Sequence, residues 1–421
     1  MSITIKPFRA LRPAPEYVAK VASLPYDVVE SSEVREYARN NKLSFLHVDK
    51  AEVDFSDNVD IFSPVIYQKA KENLDFLVCN KILIYDSQPN YYIYRIYRQG
   101  HVQTGLAGCV SVDDYERGTI KKHELTRHDR EQDRLDHIKA TKAHASPVLY
   151  MYRGDIFKGE SPSEIMDKWA NENKSVYDFI AIDGARHLLW VVDCLHVQEL
   201  LRKTFGTVEC LYIADGHHRS AAAAKAAQLY KDTDKDTEMQ SKFFPAVLFP
   251  CSELKIFDHN RVVSGMNGMA STSFWESLGV VFEIQKSNTP VKPEYNYIFG
   301  MYFDNGWYKL SLKQRYVEKV SKQAVSKRFN TSVLHDYILN PILGISDLQT
   351  CNRIDFVGGT RSTKELEHRV NSGNMDFAFT LYPTSMDDLL TLSDTNEIAP
   401  PKSTWFEPKL CSGLLVHVLG V

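Results

Sequence analysis

Strand-like runs alternating with helix-like ones predict an α/β fold on a mixed or mostly parallel sheet, of α+β character, rather than a sandwich. Three observations carry the prediction. Runs rich in β-branched and aromatic residues are followed by helical ones three times in succession: PVLYMYR by SPSEIMDKWANEN, HLLWVVD by VQELLRKTF, and ECLYIA by HHRSAAAAKAAQLY. Hydrophobic residues make up 43% and charged residues 25% of the 421, enough to fill a real core. No repeat, heptad run or low-complexity tract interrupts the pattern.

At roughly 150 residues per domain the length predicts two or three domains, placed at residues 1–107, 108–262 and 263–421. In the first, the proline of PYDVV favours extended chain, Ser31 or Ser32 caps a helix to about Asn40, SFLHV reads as a strand and YQKAKENLDFLV as a helix. KILIYD and YYIYRIYRQ, split by Ser-Gln-Pro-Asn, read as a hairpin. In the second, GCVSV is a strand and residues 121–144 a long charged helix or helix pair; the three strand–helix pairs follow, and FFPAVLFP is a further strand. In the third, VEKVSKQAV, VLHDYIL and ELEHRV are helical, while RIDFVGG and DFAFTLYP are strands.

Fifty Lys+Arg against 54 Asp+Glu give a net charge of −4, no footprint for a nucleic-acid partner. An anionic ligand must then be caught by a local constellation. No apolar run approaches the ~18 residues of a membrane span, and MSITIKPFRALRP carries charges and prolines where a signal peptide is apolar, so a cytoplasmic protein without a membrane partner is expected. The seven cysteines are scattered without a C-x-x-C pair and read as reduced thiols.

The strongest chemical signal is LYIADGHHRSAAAAKAA, residues 211–227. An apolar strand runs into Asp215-Gly216 and turns at once into a helix whose first turn holds His217, His218 and Arg219. A helix start offers free N–H groups and partial positive charge, and glycine admits close approach of a ligand, which together suit a phosphate. A capped β-to-α junction needs less than three cationic-capable groups in a row. In IKKHELTRHDREQDRLDHIKA the spacing of His123 and His128 is five rather than four, which excludes a zincin pair. What remains is Glu124, beside His123 and among Lys121, Lys122 and Arg127, able to stay ionised and accept a proton, against the plainer reading of a solvated helix. In APPKSTWFEPKL, Lys402-Ser403-Thr404 lacks the glycines of a Walker A loop, yet the two prolines stiffly present a lysine and two hydroxyls. RIDFVGGTR, with Thr360 and Arg361, is a weaker anion site, and no G-x-G-x-x-G follows a strand.

Taken together, ADGHHR with its preceding strand and Ala-rich helix, KHE some ninety residues upstream, and PPKST resemble the free L-serine kinases of the ParB/sulfiredoxin-like superfamily. Against the broad bacterial branch of that family, long catalogued as a domain of unknown function, the resemblance runs from KPFRALRP and LPYDVV through KKHELTR to PPKSTWFEPKL. It implies a ParB/sulfiredoxin-like catalytic core over 108–262, flanked by N-terminal and C-terminal α/β regions, the latter closing on the site. Asp215-Gly216-His217 stands where sulfiredoxins have a reactive cysteine, which argues against sulfinic-acid reduction; Arg127-His128 stands where the family has Arg-Pro.

The resemblance implies a kinase that phosphorylates the hydroxyl of free L-serine from ATP or ADP with Mg²⁺. Glu124 becomes the general base, with Asp215 and His218 also catalytic. Gly216, His217, His218, Arg219 and Lys402 bind the nucleotide phosphates; His123, Arg127, Ser403 and Thr404 bind serine; Asp215 is the Mg²⁺ ligand. The alternative is a ParB-like nucleotide switch or NTPase without transfer to an amino acid. Neither a basic helix-turn-helix nor an oligomerisation segment is visible, and the near-neutral charge favours the enzyme.

Overall fold

A computed structural model describes residues 2–26, 31–56, 58–348, 350–359 and 361–420. Two compact units emerge, one of Met1–Lys122, Thr126–Leu254 and Pro408–Val421, the other of His123–Leu125 and Lys255–Glu407. The sequence-based limits at 107 and 262 fall inside the strands His101–Ser111 and His259–Val263.

The first unit is built on a nine-stranded mixed sheet. Its order is Ile120–Lys121, Leu211–Asp215, Val148–Tyr152, Phe243–Pro250, His101–Ser111, Tyr91–Arg98, Arg186–Val192 and Tyr177–Ile180, with Ile5–Lys6 also on His101–Ser111. The α/β class is as expected, but the sheet is not mostly parallel: only Leu211–Asp215 with Ile120–Lys121, and Phe243–Pro250 with Val148–Tyr152, run parallel. Helix Pro162–Glu172 explains part of the difference, because it delivers the chain not to a neighbouring parallel strand but to Tyr177–Ile180 at the far edge. That helix starts as its Ser-Pro predicts, with Ser161 and Glu164 in a reciprocal capping box. Helices Pro64–Cys79, Leu195–Phe205 and His217–Leu229 also lie where their periodicity puts them.

Three local expectations are corrected. Leu83–Tyr85 does not form a hairpin with Tyr91–Arg98; it joins Ala10–Pro13 in a separate four-stranded sheet. The hairpin partner of Tyr91–Arg98 is His101–Ser111, because Gln99 and Gly100 both take positive φ (+48° and +76°) and close a two-residue turn matching the strand twist. SFLHV is not a strand but contributes to the short helix Leu46–Asp49; Phe45, Leu46 and Val48 are all buried, and an element buried around most of its circumference shows no readable period. Residues 121–144 are not one helix: the helix is His128–Thr141, ended by Lys142 at φ +54°, and the KHE segment precedes it in non-helical chain. The helix expected near Ser31 is Ser31–Arg39; the side chains of Ser31 and Ser32, and residues 27–29 of PYDVV, lie outside the described residues.

The second unit carries a six-stranded, wholly antiparallel sheet in the order Phe282–Ser287, Gly306–Leu312, Ile298–Phe303, Phe377–Leu381, His259–Val263 and Ile354–Gly358. Lys255–Phe257 pairs with Trp405–Glu407 beside it. VEKVSKQAV divides into Gln314–Ser321 and Val325–Arg328, and VLHDYIL passes from helix Asn330–Leu334 into the π-helical turn His335–Leu339. Among the described residues all seven cysteines are free thiols, and no helix is long and apolar enough to cross a membrane.

A stacked pair of buried imidazoles gives the first unit a pH dependence. His144 and His417 are cross-strand partners, rings parallel within 3° and 5.8 Å apart. Burial, and then the neighbouring ring, pulls His144 down to about 3, and burial pulls His417 down to about 4. Both values lie below the unfolded value near 6.5, so the native rings stay neutral where unfolded ones protonate. The stability is present above that value and lost as pH falls towards the folded values. We expect each ring to contribute about 2 kcal/mol of destabilisation by pH 5. Urea midpoints between pH 7.5 and 5 read the loss, and His417→Gln should flatten the slope; an unchanged slope would remove the pair as its source.

Candidate active site

In the first unit, strand Leu211–Asp215 sits next to the sheet edge and its ladder with Val148–Tyr152 shifts register between Ile213 and Asp215. At Gly216 the backbone adopts φ +103°, and a Cβ there would lie 2.8 Å from Val148 Cγ1. Only glycine serves both demands. The thirteen-residue helix His217–Leu229 starts at once. Ala222, Ala223 and Ala226 have no exposed surface, so the helix lies close on its neighbours. Ser220 ties it down, donating to the Gly216 carbonyl at 2.9 Å and lying 2.7 Å from the Tyr150 hydroxyl.

Around this corner the expected residues take distinct places. Arg219 is mostly buried, donates to the Pro147 carbonyl at 2.6 Å and lies 3.7 Å from the Asp215 carboxylate. His217 is buried, and His218 Nε2 accepts from the Arg127 backbone N–H at 3.1 Å. The Arg127 guanidinium instead forks onto the exposed Asp129 carboxylate at 3.1 and 2.7 Å. Glu131 pairs with Lys225. One residue that sequence reasoning missed also belongs here. Lys409, only 8% exposed at its side chain, brings Nζ to 3.2 Å from Asp215 Oδ2.

The donor set fits Mg²⁺ in chemistry. Asp215 offers a hard carboxylate, 22% exposed at the mouth of a helix start, and Mg²⁺ is commonly held by one or two carboxylates with substrate phosphates completing the shell. Lys409 then competes for the same oxygen.

The second unit gathers the remaining candidates. His123 is buried, its carbonyl accepts from the Ala399 N–H at 2.9 Å, and its Nε2 lies 3.2 Å from Thr404 Oγ1. Glu124 is half-buried and follows directly. Lys402 is exposed and takes φ +58°, the left-handed conformation that reverses the chain after Pro400-Pro401. Ser403, expected to meet substrate through its hydroxyl, is 5% exposed; the hydroxyl donates to the Pro400 carbonyl at 2.7 Å and lies 2.8 Å from Thr331 Oγ1, so it shapes the loop. Arg261, also unsuspected from sequence, is fully buried and donates to the carbonyls of Pro401 at 3.3 Å and Lys402 at 2.8 Å. Of RIDFVGGTR, Ile354–Gly358 is a strand and Thr360 lies outside the described residues.

Comparison with known proteins adds the following. No curated protein matches the chain. Among solved structures, a free serine kinase in complex with AMP is 13% identical at a TM-score of 0.36, over 73% of this chain and 91% of that one. SbnI with a C-terminal truncation, from Staphylococcus aureus, is 13% identical at 0.38, over 74% and 87%. A conserved hypothetical protein from Pyrococcus furiosus is 14% identical at 0.34, over 73% and 94%. Residues 5–332 match the family model described as "Protein of unknown function (DUF1015)", and the chain belongs to that family.

Proposed function

We propose that the chain is a phosphotransferase that moves the terminal phosphoryl group of ATP or ADP onto the hydroxyl of free L-serine, giving O-phospho-L-serine. The observation that supports this most is the Asp215-Gly216 corner, where a glycine-only turn opens a long helix with two imidazoles and a guanidinium in its first turn. Such a corner presents backbone donors and positive charge to an anion. The sequence resemblance to free L-serine kinases supplies the acceptor.

Phosphoryl transfer needs alignment, neutralised phosphate oxygens and a base for the attacking hydroxyl, with little covalent help from protein groups. In this reading the N–H groups opening the helix, with His217, His218 and Arg219, hold the phosphates, and Lys402 adds an exposed cation. Glu124 takes the serine proton, and His123, Arg127 and Thr404 orient serine. Mg²⁺, when bound with Asp215 as its protein ligand, supplies further neutralisation of phosphate charge.

The test is incubation with ATP or ADP, Mg²⁺ and single amino acids, reading phosphoserine and nucleotide hydrolysis separately. Serine-dependent phosphoserine is expected; hydrolysis without transfer supports a nucleotide switch instead. Glu124→Gln is expected to lower turnover about 10²–10⁴-fold while nucleotide binding survives, and near-wild-type turnover would falsify its role as base. Gly216→Ala forces a Cβ against Val148 at a positive φ. It is expected to weaken nucleotide binding at least about tenfold, measured by calorimetry, because the helix start must move.

A further inference from the structure

Arg261 is the bulkiest of the side chains with almost no exposed surface, at 1%. Its donors reach the backbone carbonyls of His259, Pro401 and Lys402, and its guanidinium lies 5.0 Å from the Phe356 ring centre. Among the described residues it forms no ion pair with a carboxylate. A buried cation in that situation is expensive, and an apolar side chain of similar volume would pack at lower cost. Burial pulls the guanidinium down to about 9, and the charge of Glu124 opposes that fall.

The segment that Arg261 grips is the one that meets His123. The Ala399 N–H and the Thr404 hydroxyl bracket the Lys402 turn, and both meet His123, the residue before Glu124. We propose that Arg261 is a positioning residue for Glu124: it fixes the Lys402 turn and, through that turn, the backbone on which Glu124 sits. The proposal rests on the reading of Glu124 as the base. Within this unit the Arg261 charge and the Glu124 charge act on each other, and the His123 ring, which meets Thr404, is the next residue along the chain.

The experiment follows the pH dependence of carbodiimide labelling at Glu124 in the full chain, by peptide mass, beside the pH–rate profile of phosphoserine formation. Arg261→Met is expected to move the labelling midpoint up by about one pH unit or more, since a facing cation lowers a carboxyl pKa by that order. The acidic limb of the rate profile should move with it. Arg261→Lys keeps the charge, so its midpoint should stay within about 0.3 of a unit. A single ammonium cannot replace the fork on three carbonyls, so exchange of the Ala399 amide should quicken at least about tenfold and turnover fall about tenfold. An unmoved midpoint in Arg261→Met, or wild-type exchange in Arg261→Lys, overturns the proposal. If Arg261→Met does not fold, Arg261→Lys decides alone, quickened exchange at an unmoved midpoint supporting the proposal. If wild type makes no phosphoserine, the kinase reading fails while labelling and exchange still judge Arg261.

Discussion

At residue 216 the chain must reverse from strand to helix beneath the side chain of Val148, where no Cβ fits and φ is +103°. This steric limit sets the geometry of everything around it. The helix begins without an intervening loop, so its first N–H groups and its first three side chains are held by the sheet rather than by flexible chain. The alanines behind them let the helix lie close, and the Tyr150–Ser220 bond locks its first turn. A corner pinned from two sides can keep donors aimed at a fixed point, which is what recognition of a charged group requires.

The two buried cations near the candidate residues are accommodated in opposite ways. Lys409 meets a carboxylate, Asp215, so each desolvated charge compensates the other. Removing one partner of such a pair commonly costs about 3–5 kcal/mol because the other is stranded. Among the described residues Arg261 meets carbonyl dipoles and an aromatic face, and its charge remains available to act at longer range. The first arrangement stiffens a corner; the second projects a field.

Legibility from sequence followed the range of the interactions. The ADGHHR corner could be read because its determinants are neighbours: an apolar run, a glycine and an alanine-rich helix. Helix Pro162–Glu172 could be read for the same reason. The KHE segment was misread as helical because the charge spacing of 121–144 continues smoothly through a boundary set by tertiary packing. Lys409 escaped because its partner stands 194 positions away. A usable signal existed in each missed case: Lys409 is the lone charge in PKLCSGLLV, and Arg261 interrupts the apolar end of HNRVV, so each is a charge in a stretch with buried neighbours. Strand pairing was hardest to foresee, since a local strand–helix alternation says nothing of which edge the chain joins next.

The membership of His123–Leu125 has a consequence for dissection of the protein. These three residues belong by their contacts with Lys255–Glu407, although more than a hundred residues of other structure separate them along the chain. A fragment spanning 255–407 therefore lacks the residue whose carbonyl and ring meet the Ala399 N–H and the Thr404 hydroxyl, and proteolytic excision at the obvious joints would leave both of those groups without that partner. Reconstitution needs the short peptide added back in trans or spliced on by circular permutation, and its affinity would measure how much those few contacts hold.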